Sequence, residues 1–228
     1  MLNGAHGIII SLLSPKLPAR HTFRSGEIWE GHLLLHMLLI LGLGNPGEKY
    51  QHTRHNAGFL FLDFLQQTWK FPSFDPSNRF ESLLSQGEWN GHKILLGKPE
   101  TYMNLSGKPA MTLLHYYKLT EKNLAIIHDD LDIAKGALKT TLSSSSAGHN
   151  GVADIIARLG TQEFFRIRLG VGRPSGEPRL LAGRSENEVS PKDYVLLPFS
   201  HEEYQALHDD VFPRAQKALE EWISSREK

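Results

Sequence analysis

Residues 39–58 read LILGLGNPGEKYQHTRHNAG, and the organisation of the rest of the chain can be worked out from this stretch. It begins with an apolar run that ends in three glycines with the spacing G-x-G-x-x-G, at Gly42, Gly44 and Gly47. A continuous apolar run closed by glycine is typical of a strand that is buried on both faces. The same spacing opens the pyrophosphate loop of dinucleotide-binding proteins, so the glycines raise the question of a cofactor.

The dinucleotide interpretation is weak for this chain. The motif requires a helix that starts at the third glycine and a second strand within about 30 residues. Here Gly47 is followed by polar, turn-forming residues, the first convincing helix begins near Ala57, and the next good strand begins at His92. The simpler interpretation is that the glycines form a strand-end turn, but this leaves the polar residues that follow without a purpose.

Segments with strand and helix periodicity alternate beyond residue 37. The pattern predicts strands near 38–44, 83–89, 92–96, 123–127, 136–141 and 165–171. It predicts helices near 57–69, 109–117 and 152–159, and one or two amphipathic helices over 202–225, interrupted near Pro213. Interspersed strands and helices predict an α/β fold, a single domain with a mixed, mostly buried central sheet flanked by helices.

Residues 1–36 differ from the rest, because they mix glycine, proline and histidine with two short apolar patches and no sustained period. We expect the domain to span residues 37–228, and residues 1–36 to be an N-terminal extension that is disordered or non-native. A targeting peptide and a functional extension are the alternatives. Three basic residues favour the first of these, whereas Glu27 and Glu30 are unusual in a targeting peptide.

Composition excludes several kinds of chemistry. The chain has 228 residues and no cysteine, which excludes disulfides, thiolate metal sites and a cysteine nucleophile. No segment approaches the roughly 18 apolar residues of a membrane span. The formal net charge is zero, but residues 37–185 carry 17 basic and 13 acidic residues, whereas residues 186–228 carry 5 and 10. An anionic partner would therefore favour the first region.

Four loops, 44–47, 54–58, 101–107 and 147–151, carry asparagine or histidine next to glycine, and His128-Asp129-Asp130 follows a buried strand. Each loop alone is explained as a turn or a helix cap. Their concentration favours another explanation, because asparagine offers neutral donors and acceptors, histidine titrates near neutrality, and aspartate can fix a histidine tautomer. We expect a His–Asp pair that activates water, with amides that hold the substrate.

Other hydrolytic and metal motifs fit poorly. His52 and His55 are three residues apart without a third ligand nearby. His201-Glu202 resembles the start of H-E-x-x-H, but Gln205 stands at the position of the second histidine. The nucleophile elbow G-x-S-x-G is absent from the sequence. We therefore predict a site with no metal and no cofactor.

Five blocks in order resemble the bacterial peptidyl-tRNA hydrolases, and together they cover nearly everything from Met37 to the C-terminal helix. They are GLGNPGEKYQHTRHNAG, KPETYMNLSG, IIHDDLDIAKG, AGHNG and FFRIRLGVGRP. The resemblance implies a monomeric α/β enzyme that cleaves the ester between a peptide and the terminal ribose of tRNA. It also implies a cytoplasmic location, or an organellar one if residues 1–36 are a transit segment. A noncatalytic RNA-binding protein on the same fold is the alternative.

The resemblance also implies roles for individual residues. His55 matches the catalytic base and Asp129 matches its carboxylate partner. The substrate-binding positions are Asn45, Tyr50, Met103, Asn104, His149 and Asn150. Lys139 and Arg168 match basic positions near the tRNA phosphates, and Arg166 adds positive charge beside them. The chain departs from the family at Ser143–Ser146, where relatives often have glycines and a histidine, and this change would alter tRNA binding or loop mobility.

Overall fold

A seven-stranded mixed sheet organises the fold in the computed structural model, which describes residues 37–173, 180–181, 184–185 and 189–226. Its strands are β1 (Met37–Gly42), β2 (Asp75–Ser77), β3 (Ser82–Trp89), β4 (His92–Pro99), β5 (Leu124–Asp130), β6 (Leu138–Thr141) and β7 (Phe165–Gly170). Their spatial order is β2-β3-β4-β1-β5-β7-β6. The four inner strands β4, β1, β5 and β7 run parallel. β3 pairs antiparallel with β4, β6 pairs antiparallel with β7, and β2 pairs antiparallel with β3. A separate antiparallel pair consists of β8 (Leu180–Leu181) and β9 (Arg184–Ser185).

Helices cover both faces of the sheet. They are α1 (Ala57–Thr68), α2 (Gly107–Tyr116), α3 (Asn150–Leu159), α4 (Pro191–Tyr194), α5 (His201–Ala206) and α6 (Phe212–Ser224). Leu38 and Ile40 of β1 lie in a core with α1 and α6, whereas Leu39 and Leu41 lie in a second core with α2 and α3. This alternation explains why β1 is apolar at every position, since each of its faces is buried.

The glycines of the opening stretch allow α1 to lie directly on the sheet. A Cβ atom at Gly42 would collide with the backbone of Gly58, and one at Gly44 would collide with the ring of Phe59. Gly47 has a φ of 102°, in the region that favours glycine. Only a three-residue 3-10 turn, Glu48–Tyr50, follows it. A dinucleotide loop needs a helix at that point, so the glycines serve packing and turn formation instead.

The strands β5 and β7 show how neighbours in the sheet change a strand from what its own sequence predicts. The predicted strand 123–127 continues to Asp130, since β7 pairs with it as far as the Asp130–Gly170 register position. The sequence of β7 alternates apolar and basic residues, which is typical of a strand with one exposed face, but the strand is almost entirely buried and Arg166 is 0% exposed. Both faces of β7 are therefore covered, and its basic residues are buried or partly buried.

The described residues belong to one compact unit and confirm the predicted fold of a single α/β domain with a mixed central sheet. Residues 1–36 lie outside the described residues, so their predicted disorder and the domain boundary at residue 37 stay predictions. None of the helices in the described part of the chain is long and apolar enough to cross a membrane.

Candidate active site

The carboxyl ends of the parallel strands meet at one edge of the sheet, where ligands bind in open α/β folds. Asn45 lies just beyond β1, Met103 just beyond β4, and Asp129 within the last two residues of β5. A 3-10 turn, Arg54–Asn56, brings His55 to the same edge immediately before α1. The predicted polar blocks thus converge, which sequence spacing alone did not establish.

A hydrogen-bonded cluster of His55, Asp129 and His149 forms the centre of this edge. One carboxylate oxygen of Asp129, Oδ1, lies 2.9 Å from His55 Nδ1 and 3.0 Å from His149 Nε2. The backbone N–H of Val152 donates to His149 Nδ1 over 3.3 Å, so that Nδ1 carries a lone pair and the proton of His149 is on Nε2. His149 therefore donates to Asp129 as a neutral imidazole, and it also caps the N-terminus of α3.

The same reasoning assigns the tautomer of His55. Burial disfavours the charge of Asp129, but the two histidines outweigh this effect and hold the pKa of its carboxyl far below its ordinary value of 3.8. Ionised Asp129 only accepts hydrogen bonds, so His55 donates from Nδ1 and keeps its lone pair on Nε2. Burial lowers the pKa of His55, but the charge and the hydrogen bond of Asp129 raise it above 6.5 overall. The result is a basic nitrogen, Nε2, that has no hydrogen-bond partner among the described residues.

Asn45 is held by its neighbours with its amide group turned in a defined direction. Its backbone N–H and C=O pair with the side chain of Asn56 over 2.9 and 3.0 Å. The backbone N–H of Met103 donates to Asn45 Oδ1 over 2.9 Å, which identifies the oxygen of that amide. Asn45 Nδ2 is thus left as a donor without a partner among the described residues.

The remaining predicted substrate-binding residues differ in burial and in their neighbours. Met103 is buried, and its sulfur packs against Gly151, where a Cβ would approach it to 2.6 Å. Asn104 and Asn150 are exposed. Asn104 directly follows Met103, whose backbone binds Asn45, and Asn150 directly follows His149 of the cluster. Tyr50 is half-buried in the 3-10 turn Glu48–Tyr50, beside the amine of Lys49. Met103, Asn104 and Asn150 thus lie next to residues of the site, while the contacts of all the predicted residues with substrate stay predictions.

The three predicted tRNA-binding residues have different environments. Lys139 is exposed on β6, and the register places it opposite Arg168, so both side chains lie on one face of the sheet. Arg168 forms an ion pair of 2.6 Å with Asp130. Arg166 is buried and donates to the carbonyl oxygens of Ser144 and Ser145. The serine stretch that departs from the family thus supplies acceptors for Arg166.

His55, Asp129 and His149 also bring three potential metal-ligand atoms within 4.8 Å of one another. A histidine that binds a metal normally donates its other ring N–H to an acceptor. His149 does the reverse, because its Nδ1 accepts from Val152. A metal at Nε2 would require an imidazolate or the loss of that hydrogen bond, so the donor arrangement fits a hydrogen-bonded cluster better than a metal centre.

Sequence reasoning did not assign a role to three buried residues beside the site. Asn56 fixes the loop of Asn45. His128 donates from Nδ1 to the backbone carbonyl of Asp129 over 2.7 Å, and its ring packs against that of His149 at 4.7 Å. Arg54 is 2% exposed and binds the C-terminal segment. Their only signal in the sequence was their position next to a predicted site residue.

Comparison with known proteins agrees with this geometry. The sequence model of the family described as peptidyl-tRNA hydrolase matches residues 39–228. A peptidyl-tRNA hydrolase of Bacillus thuringiensis subsp. konkukian is 42% identical over 188 residues, which are 82% of this chain and 94% of that protein. One from Brevibacillus brevis is 47% identical over 163 residues, which are 72% and 79% of the two chains.

Solved structures give the same result. The crystal structure of a peptidyl-tRNA hydrolase in complex with N-propanol superposes with a TM-score of 0.69 at 28% identity, over 84% of this chain and 93% of that one. The enzyme from Acinetobacter baumannii superposes with a TM-score of 0.67, also at 28% identity, over 84% and 94% of the two chains. The chain described here belongs to the peptidyl-tRNA hydrolase family.

Proposed function

We propose that this protein hydrolyses the ester between a peptide and the terminal ribose of tRNA, with His55 as the general base. The observation that carries the proposal is the 2.9 Å hydrogen bond between His55 Nδ1 and Asp129 Oδ1, which leaves Nε2 as the basic nitrogen. About 11% of the His55 side chain is exposed, which is sufficient for a water molecule to reach it. Base catalysis of this kind contributes roughly 100- to 10,000-fold to a rate.

The reaction proceeds in two proton transfers. His55 Nε2 takes a proton from water as the water oxygen bonds to the ester carbonyl carbon. Asp129 stabilises the imidazolium that forms, because its charge lies next to Nδ1. The bond between that carbon and the ribose oxygen then breaks, and the imidazolium returns the proton to the ribose oxygen. The products are free tRNA and a peptide with a new carboxyl group.

The asparagines supply neutral donors to the ester. Asn45 Nδ2 is available as a donor, since Asn45 Oδ1 accepts from the backbone N–H of Met103. An amide donor aimed at the carbonyl oxygen would stabilise the negative charge that develops there. Asn104 and Asn150 hold the attacking water or the peptide, and Tyr50, Met103 and His149 complete the wall of the site.

Basic residues on β6 and β7 bind the tRNA phosphates. Lys139 is exposed and beside Arg168, which suits a direct contact with the phosphate backbone. Arg166 adds positive charge beneath them, and burial together with the charge of Arg168 lowers its pKa only to about 10. Phosphate contacts carry no base sequence, which suits an enzyme that accepts many tRNAs.

We also propose that the enzyme works in the cytoplasm as a monomer, without a metal or another cofactor. The hydrogen bonding of His149 supports the metal-free mechanism. Activity that survives a chelator would support the metal-free mechanism, and sedimentation as a single chain would support the monomer. A noncatalytic RNA-binding role is less favoured, because His55 and Asp129 lie in bonding distance with a basic nitrogen left over.

The test measures release of peptide from an N-blocked aminoacyl-tRNA by the wild type, by His55→Ala and by the matched control His52→Ala. His52 is an exposed histidine three residues earlier, in contact with the ring of Tyr204. Only the loss of His55 is expected to abolish release. Full activity of His55→Ala would refute the role of that residue. Binding of tRNA without turnover by the wild type would favour the RNA-binding alternative.

A further inference from the structure

The turn that carries His55 is attached to the C-terminal part of the chain at several points. The backbone N–H of His55 donates to Val195 O over 2.8 Å, and that of Arg54 donates to Leu197 O over 3.1 Å. Phe199 N–H donates to His52 O over 2.9 Å. The position of the proposed base thus depends on a segment about 140 residues further along the chain.

The side chain of Arg54 adds three hydrogen bonds to this attachment. One guanidinium nitrogen donates to the carbonyl oxygens of Leu197 and Pro198 over 3.2 and 2.8 Å. The other forms an ion pair of 2.8 Å with Glu203, which caps the N-terminus of α5. The guanidinium carbon also lies 4.5 Å from the ring centre of Tyr194. Because Arg54 is 2% exposed, it cannot contact a tRNA and acts only through its neighbours.

The same segment is attached to the strand that carries Asp129. The hydroxyl of Tyr194 donates to Val171 O over 3.2 Å, and Val171 N–H donates to Asp130 O over 3.0 Å. Tyr194 is 0% exposed, so this connection is buried as well. Hydrogen bonds therefore attach the turn of His55 and the strand of Asp129 to one segment, residues 194–203, which we call the clamp segment.

We propose that Arg54 is a positioning residue of the hydrolytic reaction, which holds His55 against Asp129 through the clamp segment. The proposal rests on the proposed role of His55 as the base. A guanidinium is required because its planar fork serves two carbonyl groups and one carboxylate while its face packs on Tyr194. The amine of lysine has one nitrogen and no flat face, so it cannot reproduce these contacts.

Arg54→Lys tests the proposal, since it keeps the charge and removes the fork. We expect kcat to fall by about 10- to 100-fold with KM nearly unchanged, because a small displacement of a catalytic group costs this much. We also expect the acid limb of the pH–rate profile to move to lower pH, because a looser contact with Asp129 raises the pKa of His55 less. Peptide release and the titration of the His55 ring by NMR provide the measurements.

Leu219→Ala is the control for a general loss of stability. Leu219 is fully buried in α6, and truncation there leaves a cavity that destabilises the fold. It is expected to lower the melting temperature and to leave kcat and the acid limb as in the wild type. An Arg54→Lys protein that is folded and keeps the wild-type kcat and acid limb would overturn the proposal, as would a change no larger than that of Leu219→Ala.

Two milder variants decide the matter if Arg54→Lys does not fold. Glu203→Gln removes the charge that faces Arg54, and Tyr194→Phe removes only the hydroxyl that binds Val171. Each is expected to lower kcat and to move the acid limb to lower pH, by less than Arg54→Lys would. Wild-type kcat and a wild-type acid limb in both variants would overturn the proposal. Full activity of His55→Ala would instead refute the base itself, so the two failures are distinguishable.

Discussion

Asp129 and Asp130 are consecutive residues of β5, both buried, yet they belong to two different polar clusters. Successive side chains of a strand point to opposite faces of the sheet. Asp129 accepts hydrogen bonds from two histidines. Asp130 faces Arg168, whose guanidinium binds it through two nitrogens at 2.7 and 2.6 Å.

The difference lies in what each cluster leaves unused. The Asp129 cluster leaves one basic nitrogen, His55 Nε2, whose proton affinity the carboxylate raises. The Asp130 cluster is an ion pair in which each charge is satisfied by the other, with a side-chain exposure of only 14% for Arg168. Two neighbouring aspartates thus lie in different environments, because Asp129 binds an imidazole with a nitrogen to spare and Asp130 binds a guanidinium.

The largest effect is expected for Asp129→Asn. An amide in this position no longer stabilises the imidazolium, and it can donate to His55 Nδ1 and so reverse the tautomer. We expect kcat to fall by about 100- to 10,000-fold while tRNA binding persists. Single-turnover release of peptide, with tRNA affinity measured separately, checks this outcome. A kcat near that of the wild type would contradict the assignment of Asp129.

Asp130→Asn is the matched change on the opposite face. It leaves the charge of Arg168 without its carboxylate, so we expect the free energy of unfolding to fall by about 3 kcal/mol, at the lower end for a broken buried pair. The kcat of the folded protein should stay close to that of the wild type. Urea denaturation and kinetics together provide the measurement. If kcat fell as far as in Asp129→Asn, the two aspartates would not be functionally distinct.

The sequence predicted the elements of the fold that depend on local pattern. The apolar run of β1, the helix before residue 69 and the paired strands β3 and β4 have clear periodicity, and all of them are confirmed. The residues of the His55–Asp129 pair were also predicted, because two motif blocks resembled those of a known family. Local pattern therefore predicts single elements, whereas the His55–Asp129 pair, which joins residues 74 apart, was predicted only through the resemblance.

Long-range pairing was not recoverable in this way. Nothing in the sequence near His128 indicates that β7 extends β5 over Asp129 and Asp130, since two aspartates are typical of a strand end. Nor does the sequence indicate that Arg166 is buried, with its two terminal nitrogens donating to the carbonyl groups of Ser144 and Ser145. The dual role of His149 as helix cap and hydrogen-bond donor also requires α3 to lie beside β5, which is a tertiary fact.

A smaller effect should separate the basic residues that share a face with Asp130. Lys139→Ala removes one exposed charge, so we expect the slope of log affinity for tRNA against log salt to decrease by about 0.7–0.9, the value for one phosphate. Arg166→Met should change that slope little, because its guanidinium already binds two carbonyl groups. Affinity measured across a salt series distinguishes them, and equal slopes for the two variants would show that Arg166 contacts phosphate directly.

The smallest effect concerns the dependence of stability on pH. The pKa of His55 is raised in the folded protein, so its contribution to stability is complete below pH 6.5 and is lost as the pH rises through the folded-state pKa. Asp129→Asn removes the cause of the raised pKa, and the decline in stability above pH 6.5 should become shallower. Asp130→Asn should keep the wild-type decline, because Asp130 does not bond to His55. Thermal unfolding followed from pH 6 to pH 9 compares the three proteins, and an unchanged decline in Asp129→Asn would mean that His55 does not owe its proton affinity to that carboxylate.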